Sequence, residues 1–437
     1  MIRRRGPWGK MVTAALLAQA WGCSEVDTPP GAPLDPETAP SAQVPGTPAA
    51  PEPPEAIAED PFAPPEPPRA LSCEDIVPVE LGKSRSIALD GRAGLEAACG
   101  PGTSDGAGFL ALMNSGRLGS TAWDVVSSEG IPTGQLIYGG DLTDTVVPQP
   151  SGFHVSLTAF SPAGLALKPY TSRGEALSIN RLTTDYQLTT SLSPDPRGGA
   201  LFAVWEPREG NTQVLEYQFL DSTGVARAGR AQALSVPTGD RPLLTGVDTQ
   251  GRGLLLWQNP GDGNTWHGQW VEWNGSAVTQ PFPFVLPSVA SGTLQPLAGG
   301  GLALRSQAGQ WTAVFPSGQA AVQPAPAWLA NHPGTRLVLI RGQQAHALIP
   351  PPAMAEGIGC QPSLLLFTQD GTACGAVQFP ALQDSCGGRQ LNVGVDGTVV
   401  QHIERIIPPE VCDEDDLCGP SPEKEKCSWR WWPGLLR

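Results

Sequence analysis

The stretch GTSDG, residues 102–106, has the G-x-S-x-G spacing that can present a nucleophilic serine. Such a serine needs a sharp turn from a strand into a helix, because that turn exposes its hydroxyl to a substrate. The residues that follow, 107–116, predict a strand and a hairpin instead. We therefore interpret Ser104 as a polar loop residue and assign no catalytic residue.

Trp266, Trp270 and Trp273 lie in one predicted strand. Alternation along a strand places Trp266 and Trp270 on one face and Trp273 on the other. If Trp266 and Trp270 are buried, they pack between neighbouring sheets. If they are exposed, they form a platform for sugar rings. Trp270 occupies the repeat position held by Tyr217, which favours packing. Trp266 and Trp270 are kept as ligand-binding candidates.

The residues that could bind metal have no ligand spacing. The five histidines are scattered along the chain, at positions 154, 267, 332, 346 and 402. An acidic loop separates Cys412 from Cys418, but it lacks the alternating oxygen ligands and central glycine of an EF-hand, so we interpret it as a solvated tail. We predict no metal site and no cofactor.

The N-terminus has the features of an export signal. Basic residues at positions 3–10 precede an apolar run, 11–21, that is shorter than the roughly 20 residues of a membrane-spanning helix. Two cleavage patterns overlap there. The tripeptide AQA at 18–20 fits an ordinary signal peptidase, whereas AWGC, ending at Cys23, resembles the lipobox of bacterial lipoproteins.

Cysteine parity favours lipidation. The chain has nine cysteines, and an exported protein normally leaves no thiol unpaired. The lipobox resemblance implies that Cys23 carries lipid, and the other eight cysteines can then pair completely. It also implies that Ser24, the residue after the lipidated cysteine, favours sorting to the outer membrane. The alternative is a secreted or periplasmic soluble protein with Cys23 unpaired. We predict four disulfides, with Cys73–Cys99 the favoured pair because both precede the first repeat hairpin; the candidates are Cys73, Cys99, Cys360, Cys374, Cys386, Cys412, Cys418 and Cys427.

Composition divides the chain into four segments. Residues 1–22 are the predicted signal peptide, and 23–70 hold the lipidated cysteine and a Pro/Ala/Glu-rich tether that cannot form a core. Residues 71–409 form the folded domain, and 410–437 are a tail rich in Cys, acids and Trp. The net charge of −15 disfavours nucleic acid. The predicted partners are a membrane, through the lipid anchor, and a protein or glycan ligand.

The folded segment has the pattern of an all-β protein. Short runs rich in Val, Leu, Phe and Trp are separated by Gly, Asp, Asn and Pro. Segments 195–229 and 248–280 share a turn, a buried strand ending in Trp205 or Trp257, a second turn ending in Asn-Thr, and a strand-turn-strand hairpin. Hairpin turns recur 43 to 60 residues apart, which is the size of a four-stranded blade, with glycines at 116, 164, 224, 275, 318 and 371.

This repeat resembles that of bacterial extracellular β-propellers, in which an acidic-Gly-Gly turn, an Ala/Val-Val-Trp strand and an Asp-x-x-Gly turn recur. The resemblance implies a single β-propeller of about six four-stranded blades; two β-sandwich domains are the alternative. NPGDGNTW, 259–266, is similar to the Asp-box turn of sialidase propellers, with Gly261 in place of the Asp. We expect 391–406 to pair with 108–123, so that the N- and C-terminal segments close the ring.

Three functions fit these features. The favoured one is a surface-anchored, non-catalytic binding or scaffold lipoprotein of the bacterial outer envelope. The first alternative is an extracellular polysaccharide hydrolase or lyase, which would require paired carboxylates converging in the central channel. The second is a purely structural envelope protein. The propeller resemblance implies a fold and leaves these three open.

Changing Cys23 to Ser removes the predicted lipid attachment site. Two or more acyl chains hold a protein on a bilayer, so the variant is expected to move from the membrane fraction to the soluble fraction. Membrane fractionation and mass spectrometry of the mature N-terminus measure this. An unmodified N-terminus at Trp21 would contradict lipidation.

Overall fold

The computed structural model describes most of the chain after the predicted tether: residues 69–78, 80–90, 99–117, 120–137, 146–160, 163–185, 188–285, 293–317, 322–350, 362–380, 391–406, 411–412, 418–419 and 426–437. Cys23, Gly318, Cys360 and Cys386 lie outside this part. Two short helices occur within it, α1 (Cys73–Ile76) and α2 (Ala327–Ala330). No helix in these ranges is long and apolar enough to cross a membrane.

The strands form seven four-stranded antiparallel sheets, the blades of a β-propeller. The first strand of the described residues, β1 (Arg85–Asp90), belongs to the seventh blade. The first three blades contain, in order, β2 (Gly102–Ser104), β3 (Leu110–Arg117), β4 (Ser120–Val126) and β5 (Pro132–Ile137); β6 (Val146–Gln149), β7 (Gly152–Phe160), β8 (Ala163–Tyr170) and β9 (Asn180–Arg181); and β10 (Thr190–Pro194), β11 (Ala200–Arg208), β12 (Thr212–Leu220) and β13 (Ala231–Pro237).

The remaining blades follow the same order. They contain β14 (Leu243–Val247), β15 (Gly253–Trp257), β16 (Thr265–Val271) and β17 (Phe282–Val285); β18 (Thr293–Pro296), β19 (Leu302–Arg305), β20 (Trp311–Val314) and β21 (Val322–Pro324); β22 (Arg336–Ile340), β23 (Ala345–Ile349), β24 (Ser363–Thr368) and β25 (Ala373–Gln378); and β26 (Leu391–Val393), β27 (Val399–Ile406), β30 (Lys426–Trp432) and β1. Strands β28 (Val411–Cys412) and β29 (Cys418–Gly419) form a separate hairpin.

The position of a strand within its blade is visible in its sequence. Strands β11 and β15, second in their blades, are buried over most of their length and consist of apolar runs. The outermost strands β1 and β13 largely alternate between half-buried and exposed residues. First strands of neighbouring blades contact one another, so they surround the central channel. We call the side where first strands turn into second strands, and third into fourth, the turn face.

The structure confirms the all-β propeller prediction but has seven blades instead of about six. The five described glycines among the turns counted in the sequence each mark one hairpin in a different blade. Gly116 and Gly164 lie near the turn between second and third strands, whereas Gly224, Gly275 and Gly371 lie between third and fourth. The seventh blade was missed because its fourth strand is β1, which no hairpin connects to its neighbour.

The seventh blade closes the ring in a different way from the predicted one. Residues 391–406 do form an inner strand pair, but they pair with 426–432, and 426–432 in turn pair with 85–90. Residues 108–123 instead supply the second and third strands of the first blade. The predicted pairing was wrong because β2, the inner strand of that blade, has only three residues and no apolar one. Closure does join the N- and C-terminal segments.

The segment that the sequence analysis assigns to a tail supplies strand β30. Trp429, Trp431 and Trp432 are buried within the seventh blade and its interfaces. The indole N–H of Trp429 donates to the carbonyl of Gly100 at 3.0 Å, and that of Trp431 donates to Ser128 at 3.1 Å. Residues 426–432 are therefore part of the fold's core.

Apolar side chains of each sheet pack against both neighbouring blades. Trp205 and Tyr217 of the third blade pack with Leu255 and Trp257 of the fourth. Burial of a large apolar side chain contributes about 1.5–3 kcal/mol, so these interfaces supply much of the stability of the ring.

Two disulfides connect the N-terminal segment to the C-terminal half. Cys73 in α1 bonds to Cys374 in β25, and Cys99 bonds to Cys427 in β30. The favoured Cys73–Cys99 pair was therefore wrong, because chain proximity says nothing about partners 301 and 328 residues away. Cross-links that close loops this long restrict the unfolded chain by on the order of 5 kcal/mol each in the chain-entropy model. Residues 412 and 418 lie opposite each other in the antiparallel pairing of β28 with β29.

Replacing Trp429 with Ala tests whether the C-terminal segment is integral to the ring. The indole is fully buried, so the substitution is expected to lower the free energy of unfolding by about 3–5 kcal/mol. Trp273→Ala is the matched control, because this indole is 52% exposed and its loss should cost under about 0.5 kcal/mol. Urea unfolding of both variants measures the difference, and equal midpoints would contradict the assignment.

Candidate functional site

A pocket of about 490 Å³ opens at the turn face, at one end of the central channel. We call it the mouth pocket. It is formed by ends of inner strands and by the turns that follow them, so residues distant in sequence meet there. Its apolar wall includes Pro148, Pro196, Pro296, Ile340, Val393 and Leu436, and its polar groups include Arg341, Gln343, Asp396 and Arg437.

The turn between β22 and β23 has an unusual backbone. Arg341, Gly342 and Gln343 all have positive φ, at 53°, 61° and 71°. The left-handed conformation costs a non-glycine residue roughly 1–2 kcal/mol. The carboxamide of Gln343 donates a 2.5 Å hydrogen bond to the carbonyl of Pro196, which links the sixth blade to the third. Backbone strain of this kind clusters at ligand-binding and catalytic sites.

Arg341 joins three parts of the chain at the edge of the pocket. Its backbone N–H donates to the carbonyl of Leu436 at 3.0 Å. Its guanidinium donates to the carbonyl of Ile76 at 2.9 Å and to the backbone oxygen of Arg437. One side chain thus fixes the N-terminal segment and the final residues against the sixth blade.

Hydrogen bonds between neighbouring turns link all seven blades around the mouth pocket. We call this set the turn ring. The bonds run from Gly106 N to Gln149 O (2.9 Å), Gly199 N to Gln149 Oε1 (2.6 Å), the Arg197 guanidinium to Gln250 O (3.0 Å), Thr249 Oγ1 to Leu297 O (3.2 Å), Ala298 N to His346 Nε2 (2.9 Å), Arg341 N to Leu436 O (3.0 Å) and Val395 N to Ser104 O (3.1 Å). The walls of the pocket are held in place before any ligand arrives.

Aspartates support the turns of the ring. Asp248 accepts the backbone N–H groups of Gln250 and Arg252, and its second oxygen forms an ion pair of 2.7 Å with the Arg252 guanidinium. Asp396 accepts the hydroxyl of Ser104 and both the N–H and the hydroxyl of Thr398. Such side-chain acceptors stabilise tight turns.

Asp105 differs from the other aspartates of the ring. Its Oδ1 accepts the N–H groups of Ala107 and Phe109, at 3.0 and 2.8 Å, and the Ser172 side chain also bonds to the carboxyl. Burial raises the pKa of this carboxyl. Its side chain is completely buried, so a ligand in the mouth pocket does not touch it.

Ser104 lies at the end of β2 and is also completely buried. It is a strand residue rather than the predicted loop residue, and its hydroxyl is bonded to Asp396. The following chain turns into strand β3, as the sequence predicts, so the local geometry differs from that of a nucleophilic serine turn.

The tryptophan candidates lie in the core. Trp266 and Trp270 are 3% and 0% exposed and pack with Leu302 and Leu304 of the fifth blade. They share a face, as strand alternation predicts, while Trp273 is exposed. Because both indoles fill an interface between blades, the structure offers them no role as a sugar platform.

The strand register also corrects the repeat alignment at Trp270. Trp270 lies opposite Leu254, as Phe219 lies opposite Leu201. Its repeat equivalent is therefore Phe219, two positions after the predicted Tyr217. Phe219 likewise packs against the following blade, so the packing role inferred from the repeat is retained.

The NPGDGNTW segment forms a hydrogen-bonded turn on the side opposite the turn face. Asp262 lies 2.9 Å from the His267 ring nitrogen and 3.0 Å from the amide of Asn259. The bond from His267 lowers the pKa of Asp262. Arg241 donates to Asn259 at 3.2 Å. Across the described ranges, no group of three or more His, Cys, Asp or Glu residues could hold a metal ion.

The sequence did not identify Arg341 and Gln343 as site residues. The signal was present in part, because the Gly342 turn separates two apolar runs and predicts a hairpin. Nothing local indicated that this hairpin faces Pro196 and Asp396 across the channel.

No protein-family model and no curated protein matches the chain. Similar solved structures include a prolyl endopeptidase (13% identity, TM-score 0.43, covering 81% of this chain and 50% of that one). Prolyl oligopeptidase B from Galerina marginata has 10% identity and a TM-score of 0.42 over 76% of this chain and 51% of that one. A quinoprotein alcohol dehydrogenase-like protein from Bacteroides thetaiotaomicron has 10% identity and a TM-score of 0.38 over 66% and 68%.

The chain spans about half the length of the two prolyl peptidases that it matches. At these identities and TM-scores, the similarities carry no argument about activity, ligand or partner.

His346 makes the stability of the turn ring depend on pH. Its Nε2 accepts from Ala298, so Nδ1 carries the proton and donates to the carbonyl of Thr368 at 3.2 Å. Burial lowers the pKa of His346 to about 4, against 6.5 for a free histidine. Between about pH 6.5 and 4 the unfolded chain binds a proton that the folded protein does not, so stability is expected to fall as the pH falls through this window.

Urea unfolding at a series of pH values measures the effect. We expect His346→Gln to be less stable at neutral pH but to lose on the order of 3 kcal/mol less between pH 6.5 and 4 than the wild type. Leu348→Ala, a buried substitution in the same strand, is the control, because it should lower stability equally at every pH. Parallel curves for His346→Gln and the wild type would contradict the assignment.

Proposed function

We propose that the chain is a non-catalytic binding lipoprotein of the bacterial outer envelope, with a protein or glycan ligand site at the mouth pocket. The observation that carries this proposal is the strained turn of the sixth blade. Arg341 and Gln343 both hold left-handed backbone conformations at the pocket. Such conformations persist where surrounding contacts impose them, and they are concentrated at ligand sites.

The pocket suits binding by its size and composition. Its volume of about 490 Å³ is within the usual range for ligand sites, roughly 300–1,000 Å³. A mainly apolar wall supplies contact area, while the Gln343 carboxamide and the Arg437 side chain can orient a ligand. The turn ring limits the conformational entropy lost on binding, because the walls are already ordered.

The polar groups near the pocket favour binding over turnover. The oxygens of Asp396 accept from Ser104 and Thr398, and that commitment stabilises the seventh-blade turn. Hydrolysis of a polysaccharide would require two carboxyl groups able to reach the substrate. The buried position of Asp105 makes it unsuited to that role.

The export signal and cysteine pattern support the proposed location. The lipobox-like AWGC sequence ends at Cys23, which would place a lipid anchor before the predicted tether. Two disulfides are the covalent pattern expected of an exported protein. Anchoring would hold the mouth pocket at the cell surface or in the outer envelope.

Binding to a panel of envelope oligosaccharides and unstructured peptides, measured with the full chain, tests the proposal. We expect one class to bind and to be recovered intact by mass spectrometry. Gln343→Ala is expected to weaken that binding at least about tenfold, because it removes a polar group from the pocket and its bond to Pro196.

Gln232→Ala is the matched control, since Gln232 is an exposed residue of β13 away from the pocket. Equal losses in both variants would place the ligand site elsewhere. Cleaved ligand would favour the polysaccharide hydrolase or lyase, and no binding by any probe would favour the purely structural envelope protein.

A further inference from the structure

Exposed apolar side chains are concentrated on the turn face. Eight large apolar residues of the described chain are exposed, by 37% to 70%. One of them, Val285, pairs with Thr265 at the opposite side of its blade. The other seven lie at or just after turns of the turn face. Seven exposed apolar side chains on one face are the observation from which we infer an interaction surface.

Six of these residues form an arc across four consecutive blades, which we call the apolar arc: Ile131, Leu177, Ile179, Val225, Trp273 and Val278. In each of these blades, the exposed side chains lie on the turn between the third and fourth strands. Backbone bonds hold these turns, from Ser127 N to Ile131 O at 2.9 Å and from Asp221 N to Val225 O at 2.8 Å. The apolar side chains are therefore carried on ordered turns rather than on loose loops.

On the fifth and sixth blades, the N-terminal segment lies against the turn face. Residues 70–73 lie beside the turns at 298–300 and 369–372. Ile76 is fully buried with Ile340 and Leu436. The N-terminal segment therefore enters the domain on the turn face, and the chain before Arg69 contains the predicted lipid site, Cys23.

We propose that the apolar arc docks on a lipid bilayer. Each turn presents one or two large apolar side chains, a form suited to shallow insertion between headgroups rather than to a complementary protein groove. Trp273, at a turn tip, is the residue type that prefers the membrane–water interface. The N-terminal segment on the same face places a predicted anchor within reach of the same membrane.

Charge selects the kind of membrane surface. The protein has a net charge of −15, which opposes approach to strongly anionic headgroups. Near the arc, Glu129 is paired with Arg85 at 2.6 Å, and Asp221 accepts bonds from its own turn. Exposed Arg173, Glu175 and Arg181 lie in or beside the turn of Leu177 and Ile179 and carry charges of both signs. The preference for zwitterionic headgroups therefore rests on the net charge of the protein, and docking of the arc turns the mouth pocket towards the membrane surface.

Flotation of the full chain carrying Cys23→Ser tests the proposal without a lipid anchor. We expect this protein to float with phosphatidylcholine vesicles and to bind less to vesicles that contain anionic phosphatidylglycerol. Brominated phosphatidylcholine is expected to quench part of the tryptophan fluorescence, and Trp273→Phe should remove that part.

Substitutions within and outside the arc separate its role from general apolarity. In the Cys23→Ser background, adding Trp273→Ser and Val225→Ser should weaken vesicle binding at least tenfold. Val285→Ser, the exposed valine outside the turn face, should change it less than twofold. Circular dichroism and thermal unfolding check that all variants fold.

Failure of the Cys23→Ser protein to float, or an equal loss with Val285→Ser, would overturn the proposal. The proposal would also be overturned if the variant with Trp273→Ser and Val225→Ser still floated with vesicles but no longer bound an oligosaccharide or peptide that the wild type binds. That result would make the arc a ligand surface. The proposal rests on the proposed envelope location only for access to a membrane. An unlipidated natural N-terminus together with intact flotation would reject the anchor and retain the arc.

Discussion

The structure depends on a sheet having two apolar faces. The fourth blade packs Leu255 and Trp257 against the third blade, and Leu254 and Trp270 against the fifth. A single blade would therefore expose both of its faces to water, an open row of blades would expose one face at each end, and only a closed ring gives every sheet a neighbour on each side. The seventh blade meets this requirement by taking strands from both ends of the domain. The turn ring, the mouth pocket and the orientation of the turns all follow from that closure.

The parts of the fold that could be predicted from sequence are those encoded locally. Apolar runs, turn glycines and the alignment of 195–229 with 248–280 predicted all-β structure and the blade size. Strand β2, with the sequence GTS, has no apolar residue and was not recognised. Strand β30 was assigned to a tail because acidic and cysteine-rich residues precede it, although its Trp429 is central to the core. Strand β2 pairs locally with β3, so it was missed because of its composition. Strand β30 pairs with β1, which is distant in sequence, and such pairing leaves no local pattern.

The candidate site was harder to predict than the fold. Turns at 196, 343 and 396 come together only because the propeller places them around one channel. The predicted ligand-binding candidates, Trp266 and Trp270, are buried in the core. A large aromatic side chain is as suitable for a core as for a binding surface, so residue type alone does not distinguish the two. The turn at Gln343 has no conspicuous residue type, and its significance lies in a backbone conformation that is visible only in three dimensions.

The composite seventh blade has a consequence for how this protein is made. Strand β1 is synthesised early, yet its hydrogen-bonding partner β30 is among the last segments of the domain. Cys99 likewise waits for Cys427, 328 residues further on. Contacts between residues so far apart in sequence slow folding. Until the seventh blade forms, the ring is open and its strand edges are unpaired. A chain that cannot finish its domain before its C-terminal strand is available therefore stays open until translation of the domain is complete.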